Sequence, residues 1–509
     1  MLAKVLSGAV LGIEGYIVEV EVDIAGGLPS FATVGLPEGA VKESKDRVKA
    51  AVRNSGYEFP PRKITVNLAP ADVKKEGSAF DLPIALGILA ALGIVPTASL
   101  DSHLFLGELS LDGSIKSIQG GLPMAVAAKR AGLKGILLPG SNAKEAAVVD
   151  GVEVLPAKGL AQVVDFLRGE RTVAPVTVDV EKAFEEGGEY SEDFREVKGQ
   201  EHAKRALEIA AAGGHNILMV GPPGAGKTML ARRLATIIPP MTLEESLETT
   251  TIHSVVGLVP RDTALITTRP FRSPHHSISD AGLIGGGQVP RPGEVSLAHN
   301  GVLFLDELPE FKKHVLEGLR QPLEDGAVTI ARASTSLTYP ARIMLVAAMN
   351  PCPCGYYGDA HHECTCSIPQ IQRYRSRVSG PLLDRIDIHI EVPAVRYSDM
   401  VTWNEGESSV EISGRVRSAR SIQQERFRGK RIFCNAQMTS RHLKRQVQID
   451  QEGHRLLEMA MAKFGLSARA YTRILKVART IADLEGSEAI TPPQLSEAIQ
   501  YRTLDRGIV

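Results

Sequence analysis

Residues 216–238 read NILMVGPPGAGKTMLARRLATII, and this stretch decides the fold. An apolar run at 216–220 precedes a Gly-x4-Gly-Lys-Thr motif at 221–228, and helix-compatible sequence follows. Glycines let backbone N–H groups close around phosphate oxygens at the amino end of a helix. The order of strand, loop and helix therefore predicts a nucleotide-binding α/β domain, not a glycine-rich turn without function.

The loop residues have distinct expected roles. Lys227 is expected to reach the β and γ phosphates, and the Thr228 hydroxyl is expected to coordinate Mg²⁺. The other expected nucleotide-binding residues of the loop are Gly221, Pro222, Pro223, Gly224, Ala225 and Gly226.

Two further apolar strands carry polar residues at their carboxyl ends. GVLFLDE (301–307) ends in Asp306 and Glu307, and RIMLVAAMN (342–350) ends in Asn350. Ligands of open α/β sheets bind at this edge. We expect Asp306 to hold the metal, Glu307 to polarise the attacking water and Asn350 to orient water or the γ-phosphate. An Asp-Glu pair after a strand is often a solvated turn, but its pairing with the upstream loop favours the functional interpretation.

The chain is long enough for several domains and has almost no net charge. Its 509 residues exceed one ordinary core, and its 58 basic residues nearly balance 59 acidic ones. A polyanion must therefore meet local basic patches. The apolar run at 82–96 is too short to span a membrane, and Glu14, Glu19 and Glu21 interrupt the amino-terminal stretch, so we expect a cytoplasmic protein without a signal peptide.

The pattern along the chain predicts three domains. Residues 1–168 mix alternating strands with helices as an α/β domain, and 169–192 reads as a linker rather than a folded element. Residues 193–395 form the nucleotide domain, with the parallel sheet that buried apolar strands indicate. Residues 396–509 are basic and helix-compatible, which predicts a helical lid.

Several motifs together resemble a known family. RPFRSPHHSISDAGLIGGG (269–287), NGVLFLDELPEF (300–311), NPCPCG (350–355) and SGPLLDRIDIHIEVP (379–393) resemble the YifB/ComM family of Mg-chelatase-like AAA+ ATPases over essentially the whole chain. The resemblance implies a ring, expected to be a hexamer, that uses ATP and Mg²⁺. It also implies a DNA translocase or helicase that promotes branch migration during recombination of incoming DNA in natural transformation.

The resemblance also assigns candidate arginines. In such rings a neighbouring subunit supplies an arginine to the transferring phosphoryl group, and Arg385 is the candidate. An ion pair with Asp384 or Asp387 is the alternative. Arg469 resembles the sensor arginine of the lid, with Arg473 as the reserve and a solvated helix face as the plainer interpretation.

Residues 1–168 resemble the peptidase domain of Lon. Ser78 stands at the nucleophile position, but Pro123 occupies the position of the lysine base. A serine without a nearby base is a weak nucleophile. Because Lys74, Lys75 or Lys129 can replace that base only through a different geometry, we expect a degenerate domain that assembles the ring or holds a partner.

Four of the five cysteines fall within 352–366. Cys352, Cys354, Cys364 and Cys366 can supply four thiolates to zinc, although two residues within each pair is the commoner spacing. His361 or His362 can replace one cysteine, and reduced thiols in a loop are the alternative.

A hairpin is expected around the ARAST segment at 331–335. It resembles the pore hairpin of DNA motors, with Arg332 near its tip. Arg269, Arg272, His275 and His276 are further candidates for phosphate contacts, with structural arginines and turn histidines as the alternative.

The residues alone predict ATP chemistry and leave the cargo open. Besides sequence-independent binding of single-stranded or branched DNA, three alternatives remain: a remodeller of a protein partner, an ATP-dependent serine peptidase and a nucleotide-controlled scaffold.

Overall fold

The computed structural model describes residues 1–75, 77–186, 190–287, 289–332, 335–359, 362–394, 406–430 and 432–504. The chain forms two compact units. One unit is Met1–Gly188 with Thr242–Thr267, and the other is Glu189–Met241 with Thr268–Val509.

The elements follow in chain order. The strands are β1 Leu2–Leu11, β2 Glu14–Ala25, β3 Ser30–Val34, β4 Lys63–Ala69, β5 His103–Phe105, β6 Glu108–Leu109, β7 Ile115–Lys116, β8 Gly135–Pro139, β9 Glu153–Ala157, β10 Ile217–Val220, β11 Phe271–Arg272, β12 Gly285–Gly286, β13 Arg291–Pro292, β14 Val302–Leu305, β15 Ala327–Arg332, β16 Thr335–Pro340, β17 Met344–Met349 and β18 Ile388–Glu391. The helices are α1 Gly39–Asn54, α2 Asp81–Ala91, α3 Gly121–Arg130, α4 Ala143–Ala146, α5 Leu160–Leu167, α6 Val180–Glu186, α7 Glu201–Gly213, α8 Lys227–Ile237, α9 Leu243–Val255, α10 Asp280–Leu283, α11 Glu294–Leu297, α12 Lys313–Glu317, α13 Arg320–Asp325, α14 Ile368–Arg375, α15 Gly380–Leu383, α16 Ser409–Arg426, α17 Ser440–Gln446, α18 Gln451–Phe464, α19 Ala468–Leu484 and α20 Pro492–Gln500.

The first unit is built on a four-stranded sheet in the order β1-β2-β4-β3 and a parallel sheet in the order β5-β8-β9. Helix α2 packs on β1 and β2 and is buried along its whole length, because its sequence is apolar on every face. A Cβ at Gly87 would lie 2.5 Å from Val22 Cγ2, so glycine permits this close packing.

Two features of the structure bear on the predicted domain boundaries. Residues 242–267, predicted to belong to the nucleotide domain, group with the first unit, where α9 packs on α3 and Gly120 N donates to Ser254 O at 2.8 Å. The Thr242/Glu245 capping box marks the start of α9 but not what the helix packs against. Helix α6 also forms within the stretch predicted to be a linker. Neither feature follows from the sequence, because packing partners cannot be deduced from local pattern, and the domain boundaries stay predictions.

The second unit contains a parallel five-stranded sheet in the order β11-β14-β17-β10-β18. Strands β10, β14 and β17 are buried at every residue, as their continuous apolar sequences predict. Val220 pairs with Met349, so the residues that follow these strands meet at one sheet edge.

Helices dominate the chain after the sheet. Helix α16 packs on α7, α8 and α19, and α20 packs on α18 and α19. The predicted fold class, mixed α/β with a parallel sheet and a helical carboxyl-terminal region, is confirmed. The predicted boundary at 395/396 lies outside the described residues.

Candidate nucleotide site

The phosphate loop joins β10 to α8 at the carboxyl edge of the sheet. Gly224 and Gly226 have φ of 77° and 81°, values that favour glycine. A Cβ at Gly221 would lie 2.1 Å from Val392 O, so glycine also permits close approach to the chain after β18. Helix α8 begins at Lys227, which directs its first backbone N–H groups towards the loop.

The Lys227 ammonium group is buried among oxygen atoms. Its Nζ donates to Gly221 O at 2.7 Å, to Pro222 O at 2.9 Å and to Asn350 Oδ1 at 3.2 Å. Burial lowers the pKa of Lys227, while the charges of Asp306 and Glu307 act against that shift. The structure thus brings Lys227 and Asn350 together at the place where a γ-phosphate is expected.

Thr228 and Asp306 are hydrogen-bonded to each other. Thr228 Oγ1 donates to Asp306 Oδ2 at 2.8 Å, and Glu307 N donates to Asp306 Oδ1 at 2.9 Å. A hydroxyl and a carboxylate are the hard oxygen ligands that Mg²⁺ prefers, and Mg²⁺ usually retains several waters. The two residues therefore fit Mg²⁺ beside the β and γ phosphates.

Glu307 adopts a left-handed backbone conformation, with φ of 52°. Its carboxylate oxygen Oε2 lies 3.3 Å from His276 Nδ1. The His275 ring lies against the His276 ring, with centroids 4.0 Å apart, and His275 Nδ1 is 2.8 Å from Ser277 Oγ. The sequence offered His276 as a phosphate contact, whereas the structure places it on the carboxylate expected to activate water.

Two arginines proposed for DNA contacts have internal partners. Arg269 Nη1 donates to Asn300 O at 2.6 Å, and Arg272 forms two hydrogen bonds with the Glu294 carboxylate at 2.6 and 2.7 Å. The structure favours the alternative interpretation of both as structural arginines. Arg332 is exposed at the end of β15, and β15 pairs with β16 in the expected hairpin, whose residues 333 and 334 lie outside the described residues.

Arg385 is buried, with 5% of its surface exposed. It donates to Pro381 O at 2.6 Å and pairs with the Glu324 carboxylate. The ion-pair alternative named Asp384 or Asp387, but the observed partner is Glu324. Glu324 is 61 residues away from Arg385 in sequence, so local sequence pattern could not predict this pair.

The lid arginines differ in their surroundings. Arg473 Nη1 lies 2.7 Å from Asp387 Oδ1, and His215 Nδ1 lies 3.1 Å from Asp387 Oδ2. Arg469 has a side chain 64% exposed and approaches Asp384 at 3.8 Å. Arg473 therefore holds α19 to the residue before β18, while Arg469 remains available for a sensor role.

The four clustered cysteines converge. The Sγ atoms of Cys352, Cys354, Cys364 and Cys366 all lie within 4.8 Å of one another. His361 lies outside the described residues, and His362 Nδ1 lies 3.4 Å from Asp359 Oδ1.

Ser78 has a carboxylate partner. Its Oγ donates to Glu108, and Pro123 lies in α3. Lys74 pairs with Glu38, and Lys75 Nζ has no hydrogen-bond partner among the described residues. This arrangement differs from a Ser-Lys pair and gives no support to peptidase chemistry.

The sheet edge gathers the groups that fit a nucleoside triphosphate with a divalent cation. Together with the helical region after the sheet, it has the features of an AAA+ ATPase. In the part of the chain that the structure describes, no helix has the length and apolarity needed to cross a bilayer.

Comparisons with known proteins agree with this class. Residues 193–400 match the family "Magnesium chelatase, subunit ChlI", 20–142 match "Subunit ChlI of Mg-chelatase" and 406–502 match "Magnesium chelatase, subunit ChlI C-terminal". The chain is 46% identical to competence protein ComM of Haemophilus influenzae over 99% of the chain and 98% of that protein. It is 44% identical to YifB of Salmonella typhimurium over 100% and 98%, and 26% identical to the magnesium-chelatase 38 kDa subunit of Rhodobacter capsulatus over 31% and 50%. The chain belongs to the YifB/ComM family of Mg-chelatase-like AAA+ ATPases, which accounts for ATP and Mg²⁺ as its cofactors.

Proposed function

We propose that the chain assembles into a hexameric ring that hydrolyses ATP at subunit interfaces and translocates on DNA. The process it serves is branch migration during recombination of incoming DNA, in line with the similarity to a protein named for competence. Its substrate is single-stranded or branched DNA, bound without sequence preference.

The hairpin formed by β15 and β16 carries this proposal. It ends at Pro340, and β17 begins at Met344 and leads directly to Asn350, which contacts Lys227. A change at the γ-phosphate is therefore linked to the hairpin through one buried strand. Arg332 presents an exposed positive charge near the tip, and phosphate contacts are what sequence-independent binding chiefly requires.

The chemistry follows from the geometry of the sheet edge. Lys227 and the loop N–H groups bind the phosphates, and Thr228 and Asp306 hold Mg²⁺. Glu307 polarises the attacking water, and Asn350 orients it. Arg385 of a neighbouring subunit stabilises the charge on the transferring phosphoryl group.

Strand displacement on forked and four-way DNA substrates tests the proposal, with Arg332→Ala compared with wild type. We expect the variant to retain ATP turnover without DNA and to lose most displacement activity, because one phosphate contact per subunit is removed. Arg428→Ala, at an arginine 79% exposed beyond α16, is the matched control and should displace strands normally. Absence of displacement by the wild-type protein on every substrate would contradict the proposal and favour a protein partner.

A further inference from the structure

The thiols of Cys352, Cys354 and Cys364 lie unusually close together without forming disulfides. The Sγ–Sγ distances are 3.3 Å from Cys352 to Cys354, 3.7 Å from Cys352 to Cys364 and 3.6 Å from Cys354 to Cys364. A disulfide requires about 2.05 Å, so these sulfurs are not bonded to each other. Tetrahedral zinc with Zn–S bonds of about 2.3 Å separates its sulfurs by about 3.8 Å. The observed spacing is therefore near the spacing of ligands around one zinc ion.

We propose that Cys352, Cys354, Cys364 and Cys366 bind one structural Zn²⁺ ion that braces the loop between β17 and α14 against the phosphate loop. Four protein sulfurs complete a tetrahedral shell, and a closed shell is typical of structural rather than catalytic zinc. Binding replaces the thiol protons, which pass to solvent, and no redox step is involved. An iron–sulfur cluster would need a wider arrangement of sulfurs around several metal ions.

Backbone groups around the cluster are arranged as they are around metal thiolates. Cys354 N donates to Cys366 Sγ at 3.3 Å, and Tyr357 N donates to Cys352 Sγ at 3.3 Å. Such N–H donors stabilise sulfur that carries negative charge and fix the direction in which it points. Four thiolates without a cation would repel one another at these distances.

The cysteine loop adjoins the nucleotide site in sequence and packs against it. Asn350 stands two residues before Cys352, and Arg375 Nε donates to Pro351 O at 3.1 Å, which joins the start of the loop to α14. Gly355 has φ of 91°, and a Cβ placed there would lie 2.6 Å from Pro223 Cδ. The cysteine loop therefore packs directly against the phosphate loop. A metal that holds its shape would hold Asn350 and Pro223 in their positions for ATP.

Metal content tests the site itself. Elemental analysis of the full-length protein should give about one zinc per chain, and X-ray absorption should show sulfur ligands alone. The double variant Cys364→Ser/Cys366→Ser should lose the zinc. Cys434→Ala, at the cysteine outside the cluster, should keep it. Wild-type protein without zinc would overturn the proposal, and iron with acid-labile sulfide would overturn it equally.

Two glycines of the same loop test the link to ATP. Gly355→Ala adds a methyl group against Pro223, whereas Gly358→Ala meets nothing within 4 Å, although both glycines have positive φ, 91° and 79°. We expect Gly355→Ala to retain zinc and to raise the KM for ATP several-fold more than Gly358→Ala does. Equal KM values would contradict the bracing role. The zinc analysis and the KM comparison contain no DNA. A failure of the zinc proposal can therefore be distinguished from a failure of the proposed function.

Discussion

If Glu307 polarises the attacking water as predicted, the His276 imidazole competes with that water for one oxygen of the carboxylate. His276 Nδ1 lies 3.3 Å from Glu307 Oε2. We predict that a DNA phosphate that binds His276 frees the Glu307 carboxylate for hydrolysis. His276 would then be a positioning residue that couples DNA to turnover.

Substitution of His276 by alanine should raise ATP turnover without DNA by several-fold and reduce the further stimulation by DNA. The reason is that the carboxylate is free before DNA arrives. Steady-state turnover with and without single-stranded DNA measures both effects. His275→Ala is the control, since His275 contacts Ser277 and the His276 ring but is not paired with Glu307. Unchanged basal turnover in His276→Ala would contradict the role.

The sequence predicted the positions of some residues better than those of others. Lys227, Thr228 and Asp306 each stand next to an apolar strand or in a fixed motif, so their meeting at one sheet edge follows from parallel strands. The partners of His276 and Arg385 did not follow, because each contact joins segments whose relative placement depends on tertiary packing. The catalytic roles of all these residues stay predictions.

Helix α19 is held to the nucleotide sheet through Asp387. Burial alone would raise the pKa of Asp387, but the Arg473 charge and the His215 hydrogen bond outweigh burial and hold it well below its ordinary value. A carboxylate with a depressed pKa stabilises the folded state above its unfolded pKa of about 3.9. That stabilisation is lost as the pH falls through the folded pKa.

The variant Asp387→Asn should destabilise the second unit by about 3 kcal/mol at pH 7, because it leaves Arg473 without its buried partner. Hydrogen exchange of α19 peptides under increasing urea measures the change. The difference from wild type should shrink below about pH 4, where the unfolded carboxyl becomes protonated. Asp384→Asn, whose partner Arg469 is 64% exposed and 3.8 Å away, should cost less than about 1 kcal/mol. Equal effects of the two variants would refute the anchoring role.

At the level of elements, apolar runs were the most reliable signal. Strands β10, β14 and β17 are buried on both faces, so their sequences contain little but apolar residues. The packing of helix α9 could not be predicted, because its contact with α3 depends on a segment more than a hundred residues earlier in the chain.

The role of Arg385 can be tested only in the proposed ring, because the phosphoryl group on which it is proposed to act is bound by the neighbouring subunit. Arg385→Ala should lower turnover by about 10³-fold or more, as loss of an arginine finger does. Mixing it with Lys227→Ala, itself inactive, should restore part of the activity, since some interfaces then combine an intact phosphate loop with an intact Arg385. No recovery, with a lowered melting temperature for Arg385→Ala, would show instead that Arg385 and Glu324 are structural partners.

ATP turnover with and without single-stranded and forked DNA, in one salt concentration, tests the central claim most directly. We predict strong stimulation by DNA in the wild-type protein and none in Lys227→Ala or Glu307→Gln, since the first loses phosphate binding and the second loses water activation. Stimulation should weaken as salt rises, because the DNA contacts are to phosphates. Wild-type turnover indifferent to DNA at every salt concentration would contradict the account and direct the search to a protein cargo.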